Sequence, residues 1–253
     1  FYWMVITALR DKRFTFDTTP WPTHVTLENY RDALATDAGN DFLGAIFNSL
    51  IISLATTALA VAVGVFTAYA LARLDFRGKG FITGIILAAS MFPGIALVTP
   101  LFQLFGDLGW IGTYRAMIIP NISFALPLTI YTLVSFFQQL PWELEEAARV
   151  DGASRGQAFR LILLPLAAPA IFTTAILAFI TTWNEFMLAR QLSSTATEPV
   201  TVAIARFSGP SAFEYPYAAI MAAGSLVTIP LIIMVLVFQR RIVSGLTAGG
   251  VKG

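Results

Sequence analysis

Long apolar stretches alternate with short polar connections along the chain. Five stretches, residues 42–71, 81–105, 116–137, 161–183 and 217–238, are long enough to cross a bilayer as helices, which takes about 20 apolar residues. Residues 1–9, FYWMVITAL, look like the end of a sixth span whose beginning is missing. Barrel strands would alternate apolar and polar residues, and LIISLATTALAVAVGVF does not alternate. The pattern predicts an all-α integral membrane protein with six transmembrane helices, the first one truncated, in a single domain over residues 1–253.

Prolines interrupt three of the predicted spans. They are Pro93 and Pro100 in residues 81–105, Pro120 and Pro127 in residues 116–137, and Pro230 in residues 217–238. A proline inside a helix removes a backbone hydrogen bond and kinks the helix, which a protein-lined cavity tolerates better than lipid does. The kinks indicate either a pathway through the membrane or ordinary helix packing, and the sequence leaves both open.

The composition agrees with a membrane protein and excludes several classes of function. Hydrophobic residues make up 57% of the chain, charged residues 12%, and the mean hydropathy is +0.72, whereas soluble proteins carry about 25% charged residues. A formal net charge of +1 gives no electrostatic basis for binding nucleic acid. With no cysteine and a single histidine, His24, the chain is expected to have no disulfide, no thiol chemistry and no metal site.

The distribution of basic residues predicts the orientation in the membrane. Residues 73–79, 138–160 and the tail 239–253 hold nine of the 16 Lys and Arg, at about twice the density found in residues 10–41, 106–115 and 184–216. Cytoplasmic loops are enriched in Lys and Arg, so we expect the first set in the cytoplasm. Both termini would then lie on the cytoplasmic side of the plasma (inner) membrane, and residues 10–41 would form an external loop.

One of the cytoplasmic connections, residues 138–160, is predicted to form a charged hairpin of two short helices. In EEAARVDGASRGQAFRLILLP (residues 145–165), the leading acids complement the positive end of a helix dipole. The paired alanines would let another surface approach closely, and Gly152 would break the helix before a second piece returns to the membrane. The residues alone allow either a docking site for a partner or an ordinary amphipathic helix on the surface.

The hairpin also resembles the EAA motif of ABC importer permeases, E-A-A-x3-G-x9-I-x-L-P. The matching positions are Glu146, Ala147, Ala148, Gly152, Ile162, Leu164 and Pro165. In that family the segment forms the coupling helix that sits in a cleft of the ATP-hydrolysing subunit. The resemblance implies a type I ABC importer permease fold, with an ATPase-coupling set made of Glu145, Glu146, Ala147, Ala148, Arg149, Asp151, Gly152 and Ala153. Arg149 and Asp151 could instead pair with each other.

Three further segments are similar to the carbohydrate uptake permeases of this family. THVTLENYRDAL (residues 23–34) resembles an external Thr-Leu-x-Asn-Tyr segment, WNEFMLA (residues 183–189) resembles the end of the fifth span, and GLTAGGVKG (residues 245–253) resembles the tail of the MalG-like rather than the MalF-like subunit. The overall similarity points to the second permease subunit of a trehalose importer. In the tail, it implies contacts with the ATPase for Leu246, Thr247, Gly249, Gly250 and Lys252, the alternative being a disordered tail.

The same resemblance implies the partners. They are a second, MalF-like permease, an ATPase dimer and an extracytoplasmic sugar-binding protein, in addition to membrane lipid. The chain has no ATP site of its own, because RGKGF at residues 77–81 lacks the first glycine and the hydroxyl residue of a Walker A loop. We therefore expect a permease without enzyme activity or cofactor, with ATP and Mg on the ATPase, whose closure would rock the spans between inward- and outward-facing states.

A sugar such as trehalose or maltose needs aromatic faces and hydroxyl or amide partners along its path. The candidates are Asn48, Phe92, Asn121, Ser123, Tyr131 and Asn184. Polar groups at membrane depth face protein or water, so each could equally bond between helices. On the external side, the candidates for docking the binding protein are Trp21, Glu28, Tyr30, Glu198, Phe213 and Glu214, the alternative being solvated loops. Glu185 is expected to be a structural or gate partner.

The alternative function is an ion-coupled secondary transporter of small polar solutes. Such a transporter would need ionisable groups inside the membrane, and the predicted spans contain no Asp, Lys, Arg or His. An intramembrane enzyme is disfavoured because zinc ligands are lacking and His24, in an external loop, is poorly placed to serve as a base.

Overall fold

The computed structural model describes residues 1–35, 41–207 and 216–248. This part of the chain is helical, apart from one isolated β-bridge between Arg10 and Val25. The helices, in chain order, are α1 (Tyr2–Ala8), α2 (Glu28–Leu34), α3 (Phe42–Arg73), α4 (Lys79–Ser90), α5 (Val98–Asp107), α6 (Tyr114–Gln139), α7 (Glu143–Val150), α8 (Arg155–Ala158), α9 (Leu164–Trp183), α10 (Met187–Leu192), α11 (Val200–Ala205) and α12 (Tyr217–Ala248). Short 3₁₀ helices cover Lys12–Phe14 and Gly94–Leu97, and a π-helical turn covers Phe159–Leu163.

The helices confirm the predicted all-α membrane fold. Within the described residues, four segments are long and apolar enough to span a membrane: α3, α6, Arg155–Trp183 and Tyr217–Phe238. A fifth is added if α4 and the helical segment Gly94–Asp107 together make one span. These five coincide with the five complete spans predicted from the sequence. Where the end of a sixth span was predicted, α1 has seven residues.

The predicted span over residues 81–105 differs from a single kinked helix. α4 ends at Ser90, and the segment Gly94–Asp107 leaves it at an angle of 89°. Pro93 lies in this break, where its ring disfavours helical backbone at Phe92 and supplies no amide hydrogen. The other prolines lie within helices: Pro100 in the first turn of α5, Pro120 and Pro127 in α6, Pro230 in α12, and Pro169, which the sequence reading did not single out, in α9.

The chain folds as two compact units. The first contains Phe1–Ile52, Val98–Met117 and Trp183–Leu236. In this unit, the buried side-chain amide of Asn29 donates to the carbonyl oxygens of Ala8, at 2.9 Å, and Arg10, at 2.6 Å. Ser225 of α12 donates to the hydroxyl of Tyr30 at 3.0 Å. These bonds fix α2 against the end of α1 and against α12.

The second unit contains Ser53–Leu97, Ile118–Thr182 and Val237–Gly253. Its core joins α3, α6, the π-helical turn and α9. The buried members are Val65, Ala68, Ala72, Leu133, Phe137, Phe159, Leu163, Ala167 and Ala170. The ring of Tyr69 packs on this core, with its centroid 4.5 Å from that of Phe159. The predicted hairpin starts and ends at this core, because α7 follows α6 and α8 leads into the π-helical turn.

Helices α3 and α6 approach closely at Gly64. An added Cβ at this glycine would lie 2.5 Å from Cγ2 of Thr129, closer than real Cβ atoms come to another heavy atom. Small residues commonly allow such contacts between membrane helices, where packing rather than the hydrophobic effect drives association. Gly64 is therefore required by the distance between the two helices.

Replacing Gly64 with alanine should destabilise the folded chain by about 1–3 kcal/mol, because the new methyl group overlaps the methyl group of Thr129. We expect a lower midpoint of thermal unfolding for the purified protein in detergent. Gly84→Ala in α4 is the matched control, since an added Cβ there meets no atom within 4 Å, and it should be neutral or slightly stabilising. Thr129→Ser removes the obstructing methyl group and should restore the Gly64→Ala midpoint. An unchanged midpoint for Gly64→Ala would contradict the contact.

Candidate functional site

The predicted hairpin is present as α7 and α8. Three acidic residues, Glu143, Glu145 and Glu146, occupy the first turn of α7, where they complement the positive end of the helix dipole. Gly152 has a φ of 87° and ends α7, as its position in the sequence predicted. The amide of Ala153 donates to the carbonyl of Ala148 at 2.9 Å and the amide of Gly152 donates to that of Arg149 at 3.1 Å. This pair of bonds is a Schellman motif, which satisfies the last carbonyls of α7.

The second helix of the hairpin begins with a capping box that the sequence reading missed. The hydroxyl oxygen of Ser154 accepts from the amide of Gln157 at 3.3 Å, and the side-chain oxygen of Gln157 accepts from the amide of Ser154 at 2.8 Å. The pattern Ser-x-x-Gln is a recognisable signal for such a box. The two caps therefore define both ends of the turn between α7 and α8.

The return to the membrane passes through the π-helical turn. Pro165 follows this turn and has no amide hydrogen to donate to the carbonyl of Leu161, four residues earlier. A local widening of the helix relieves the clash between a proline ring and that carbonyl, and it accounts for the turn at this place. The Ile-x-Leu-Pro end of the motif therefore has a structural role that is separate from docking.

The two faces of α7 differ in exposure. Glu145 and Ala148 are buried, at 8% and 6% exposed, and they lie three residues apart on the side that faces the core. The other face is exposed, and Val150 is 87% exposed although it is apolar. We call the exposed set the outer face; it consists of Glu146, Ala147, Arg149, Val150, Asp151 and Gly152. Val150 was absent from the predicted coupling set, although its position three residues after Ala147 places it on the same side of the helix.

The members of the predicted coupling set therefore differ in exposure. Glu145 and Ala148 do not face outward, and Ala153 is only partly exposed. One carboxylate oxygen of Glu145 accepts from the hydroxyl of Tyr69 in α3 at 3.2 Å. Sequence reasoning could not distinguish the two neighbouring acids, because Tyr69 lies 76 positions earlier in the chain.

Arg73 and Trp142 also belong to this site, and the sequence reading had counted Arg73 only as a loop charge. Arg73 is the last residue of α3 and is 6% exposed. Its Nη2 donates to the carbonyl of Leu140 at 2.5 Å, and its guanidinium carbon lies 4.4 Å from the centroid of the Trp142 ring. Both contacts hold the segment that connects α6 to α7. A basic residue directly after a long apolar stretch was the available signal.

Asn48, a candidate for the sugar path, has its amide occupied by the protein. Its nitrogen donates to the carbonyl oxygens of Ala196, at 3.2 Å, and Glu198, at 3.0 Å, while its oxygen accepts from the hydroxyl of Tyr114 at 2.6 Å. Next to it, the hydroxyl of Ser49 accepts from the amide of Val200 at 2.8 Å. Together these bonds fasten the connection between α10 and α11 to α3, which favours packing over a sugar contact for Asn48.

The remaining path candidates are divided between the two units. Asn184 belongs to the first unit together with Asn48, whereas Phe92, Asn121, Ser123 and Tyr131 belong to the second. Phe92 is exposed in the break after α4, and an added Cβ on Gly94 would lie 3.5 Å from the ring of Phe124, beside Ser123. Ser123 and Tyr131 are exposed on α6, and Asn121 is buried. Phe92, Ser123 and Tyr131 in the second unit, and Asn184 in the first, are thus the candidates with exposed side chains.

The residues predicted to act on the external side differ in their exposure and bonding. Glu185 accepts from the amides of Leu188, at 2.8 Å, and Ala189, at 3.0 Å, and so caps α10 as a structural partner. Trp21 and Glu28 are exposed, whereas Tyr30 is bonded to Ser225 and Glu198 pairs with Arg206 at 3.3 Å. Phe213 and Glu214 lie outside the described residues.

In the predicted C-terminal contact with the ATPase, Leu246 and Thr247 fall in α12, which continues ten residues past the predicted span to Ala248. Gly249, Gly250 and Lys252 lie outside the described residues.

Comparisons with known proteins identify the family of the chain. Residues 60–247 match the family described as "Binding-protein-dependent transport system inner membrane component". The chain is 48% identical over 252 residues to the trehalose transport system permease protein SugB of Mycobacterium tuberculosis, covering 99% of this chain and 91% of the relative. It is 43% identical over 255 residues to the trehalose/maltose transport system permease protein MalG of Thermococcus litoralis, covering 100% of this chain and 91% of that one.

The fold is also similar to solved structures. A bacterial ABC transporter involved in the import of the acidic polysaccharide alginate matches with a TM-score of 0.78 at 22% identity, covering 94% of this chain and 88% of that one. The MetNI methionine ABC transporter, in inward-facing conformations, matches with a TM-score of 0.66 at 17% identity, covering 81% and 95%. The family predicted from the EAA motif is confirmed, and it replaces the alternative of an ion-coupled transporter. The chain belongs to the inner membrane components of binding-protein-dependent transport systems, the permeases of ABC importers.

Proposed function

We propose that this permease takes up a disaccharide, trehalose or maltose, from an extracytoplasmic binding protein, with energy supplied by a separate ATPase that binds the outer face of α7. The observation that carries the proposal is that outer face, an exposed apolar side chain surrounded by charges within the EAA motif. Relatives whose names include trehalose and maltose support the choice of sugar.

The outer face has the composition of a docking site. Val150 offers an apolar anchor, and the flanking Glu146, Arg149 and Asp151 form a charged rim around it. Ala147 adds little bulk, so the partner can approach the helix closely. The complementary surface on the ATPase is an apolar pocket with a basic group placed to meet Glu146.

The buried face of α7 connects the hairpin to the rest of its unit, so that the hairpin can act as a lever. Glu145 and Ala148 are buried, Glu145 is bonded to Tyr69 of α3, and α7 contacts the π-helical turn, so a movement imposed on the outer face passes to both. The positive-inside pattern supports a cytoplasmic location for this coupling loop, residues 138–160, and for the tail, residues 239–253. In the tail, Leu246, Thr247, Gly249, Gly250 and Lys252 are assigned to the ATPase, which carries ATP and Mg.

The remaining partners bind elsewhere on the chain. A second, MalF-like permease completes the channel, and the binding protein docks on the external loop, residues 10–41, where Trp21 and Glu28 are exposed. For the sugar path we retain Phe92, Ser123 and Tyr131, with Asn121 and Asn184 as further polar members. An aromatic ring stacks on the apolar face of a sugar, and hydroxyl and amide groups bond its edge.

Charge reversal or a break in the outer face should detach the ATPase. We expect three substitutions to lower the recovery of an ATPase with the tagged permease. Glu146→Lys reverses the charge that meets the ATPase, Val150→Asp removes the apolar anchor, and Gly152→Pro disrupts the turn. The measurement is mass spectrometry of complexes purified from native membranes in mild detergent. Arg77→Glu, an exposed charge outside the hairpin, is the control. Full recovery of the ATPase with all three variants would contradict the docking site.

Gly152 should resist replacement by residues that disfavour positive φ. Gly152→Ala is expected to lower the local unfolding free energy of α7 by about 1–2 kcal/mol, because an alanine at a φ of 87° is strained. Hydrogen exchange of the amides of residues 143–153 measures this change. Gly156→Ala in α8, where no positive φ is required and no atom lies near, is the matched control. Equal exchange rates in the two variants would show that the turn tolerates a side chain.

The sugar and its path are tested together. The purified complex with its binding protein, reconstituted in liposomes, should take up radiolabelled trehalose only with ATP, and excess maltose should compete. Phe92→Ala and Tyr131→Ala should lower uptake about two- to tenfold, the effect of losing one aromatic stacking contact. Phe81→Ala, an exposed aromatic on α4, is the control for Phe92. ATP-independent uptake would contradict the coupling to an ATPase, and no uptake would exclude trehalose as the substrate.

A further inference from the structure

Arg73, Tyr69, Leu140, Trp142 and Glu145 form a set of contacts around the buried charges of Arg73 and Glu145, which we call the Arg73 cluster; the Trp142 ring is half exposed. Two of its members come from the last turns of α3, and the other three from the end of α6 to the first turn of α7. The guanidinium bonds the Leu140 carbonyl and stacks on Trp142, while Glu145 accepts from Tyr69. The cluster therefore connects the end of α3 to residues 140–145, which lead into the first turn of α7.

Both charged members are only partly satisfied. Nε and Nη1 of Arg73 and one carboxylate oxygen of Glu145 are buried without a hydrogen-bond partner. Burying a charge is unfavourable unless it is compensated. Arg73 and Glu145 are not in ion-pair contact, but their opposite charges attract each other at longer range through the low dielectric around them. Neither group is needed to solvate the surface, and neither belongs to the outer face that docks the ATPase. The free-energy cost of burying these two charges indicates that they have a function, which we infer is to hold α7.

We propose that Arg73 is a positioning residue, which clamps α7 to the end of α3 and makes α3 follow the movement of the docking helix. The inference rests on the proposed function, because it assigns the internal connection of the same lever. A guanidinium suits this role because it donates in its plane, to Leu140, and stacks with its face, on Trp142. Lysine keeps the charge but cannot make both contacts.

The clamp is tested first without any partner, in the full chain in lipid nanodiscs. The sequence contains no cysteine, so spin labels attach only at Val63→Cys on α3 and Glu143→Cys on α7. Pulsed electron paramagnetic resonance should give one narrow distance peak, which Arg73→Gln broadens and Arg73→Lys and Trp142→Leu broaden less. Arg77→Gln, an exposed arginine in the connection after α3, should keep the narrow peak. A narrow peak in all three cluster variants overturns the proposal.

The functional arm uses the complete complex in liposomes. Arg73→Gln should lower the trehalose taken up per ATP hydrolysed about three- to tenfold, the range of substitutions that weaken coupling between sites, while the ATPase remains bound. Unchanged sugar per ATP overturns the clamp as a transmitter. If the unsubstituted complex hydrolyses ATP and takes up no trehalose, the proposed substrate is wrong, and the distance measurement still decides the clamp.

A double-mutant cycle distinguishes an interaction between the two charges from two independent losses of stability. Arg73→Gln leaves Glu145 buried without its compensating charge, and Glu145→Gln does the reverse. If the two charges act together, the loss of thermal stability in Arg73→Gln with Glu145→Gln will be smaller than the sum of the two single losses. Additive losses would show that the charges act independently, which overturns their pairing in the clamp.

Discussion

A helix of eight residues cannot persist alone in water, since isolated helices shorter than about 12 residues are marginal. α7 exists because its C-terminal carbonyls are satisfied by the turn at Gly152 and because Glu145 and Ala148 are buried, with Glu145 bonded to Tyr69 of α3. Everything proposed for this permease depends on that arrangement. A partner can transmit movement through α7 only if the buried side of α7 is bonded to the rest of the chain. The residues that make those bonds differ from the residues that would contact the partner.

The separation of roles within α7 explains why one short motif contains such different residues. Exposed positions can be charged because water or a partner solvates them, and Val150 can be apolar because a partner surface would cover it. The inward acid is tolerated because the hydroxyl of Tyr69 donates to it and the positive charge of Arg73 attracts it. Pro165 belongs to a third function, since it shapes the return of the chain to the membrane through the π-helical turn.

The sequence predicted what depends on local pattern and missed what depends on distant neighbours. The apolar spans, the break at Gly152 and the family followed from residue spacing. The inward direction of Glu145 required Tyr69, and the occupied amide of Asn48 required Ala196 and Glu198, about 150 positions away along the chain. Proline position alone was also insufficient: Pro93 accompanies an 89° break, while Pro120 and Pro127 remain inside α6, because the surrounding packing decides how a freed backbone group is satisfied.

α3 is a single helix of 32 residues without proline, and both Gly64 and Arg73 lie on its second half. Gly64 allows the close approach of Thr129 in α6, and Arg73 donates to Leu140 directly after α6. One residue inserted between Gly64 and Arg73 would rotate the rest of the helix by about 100° and advance it by about 1.5 Å, so one of the two contacts would have to break. The spacing between Gly64 and Arg73 should therefore be invariant in length among functional permeases of this kind, even where the intervening side chains change freely.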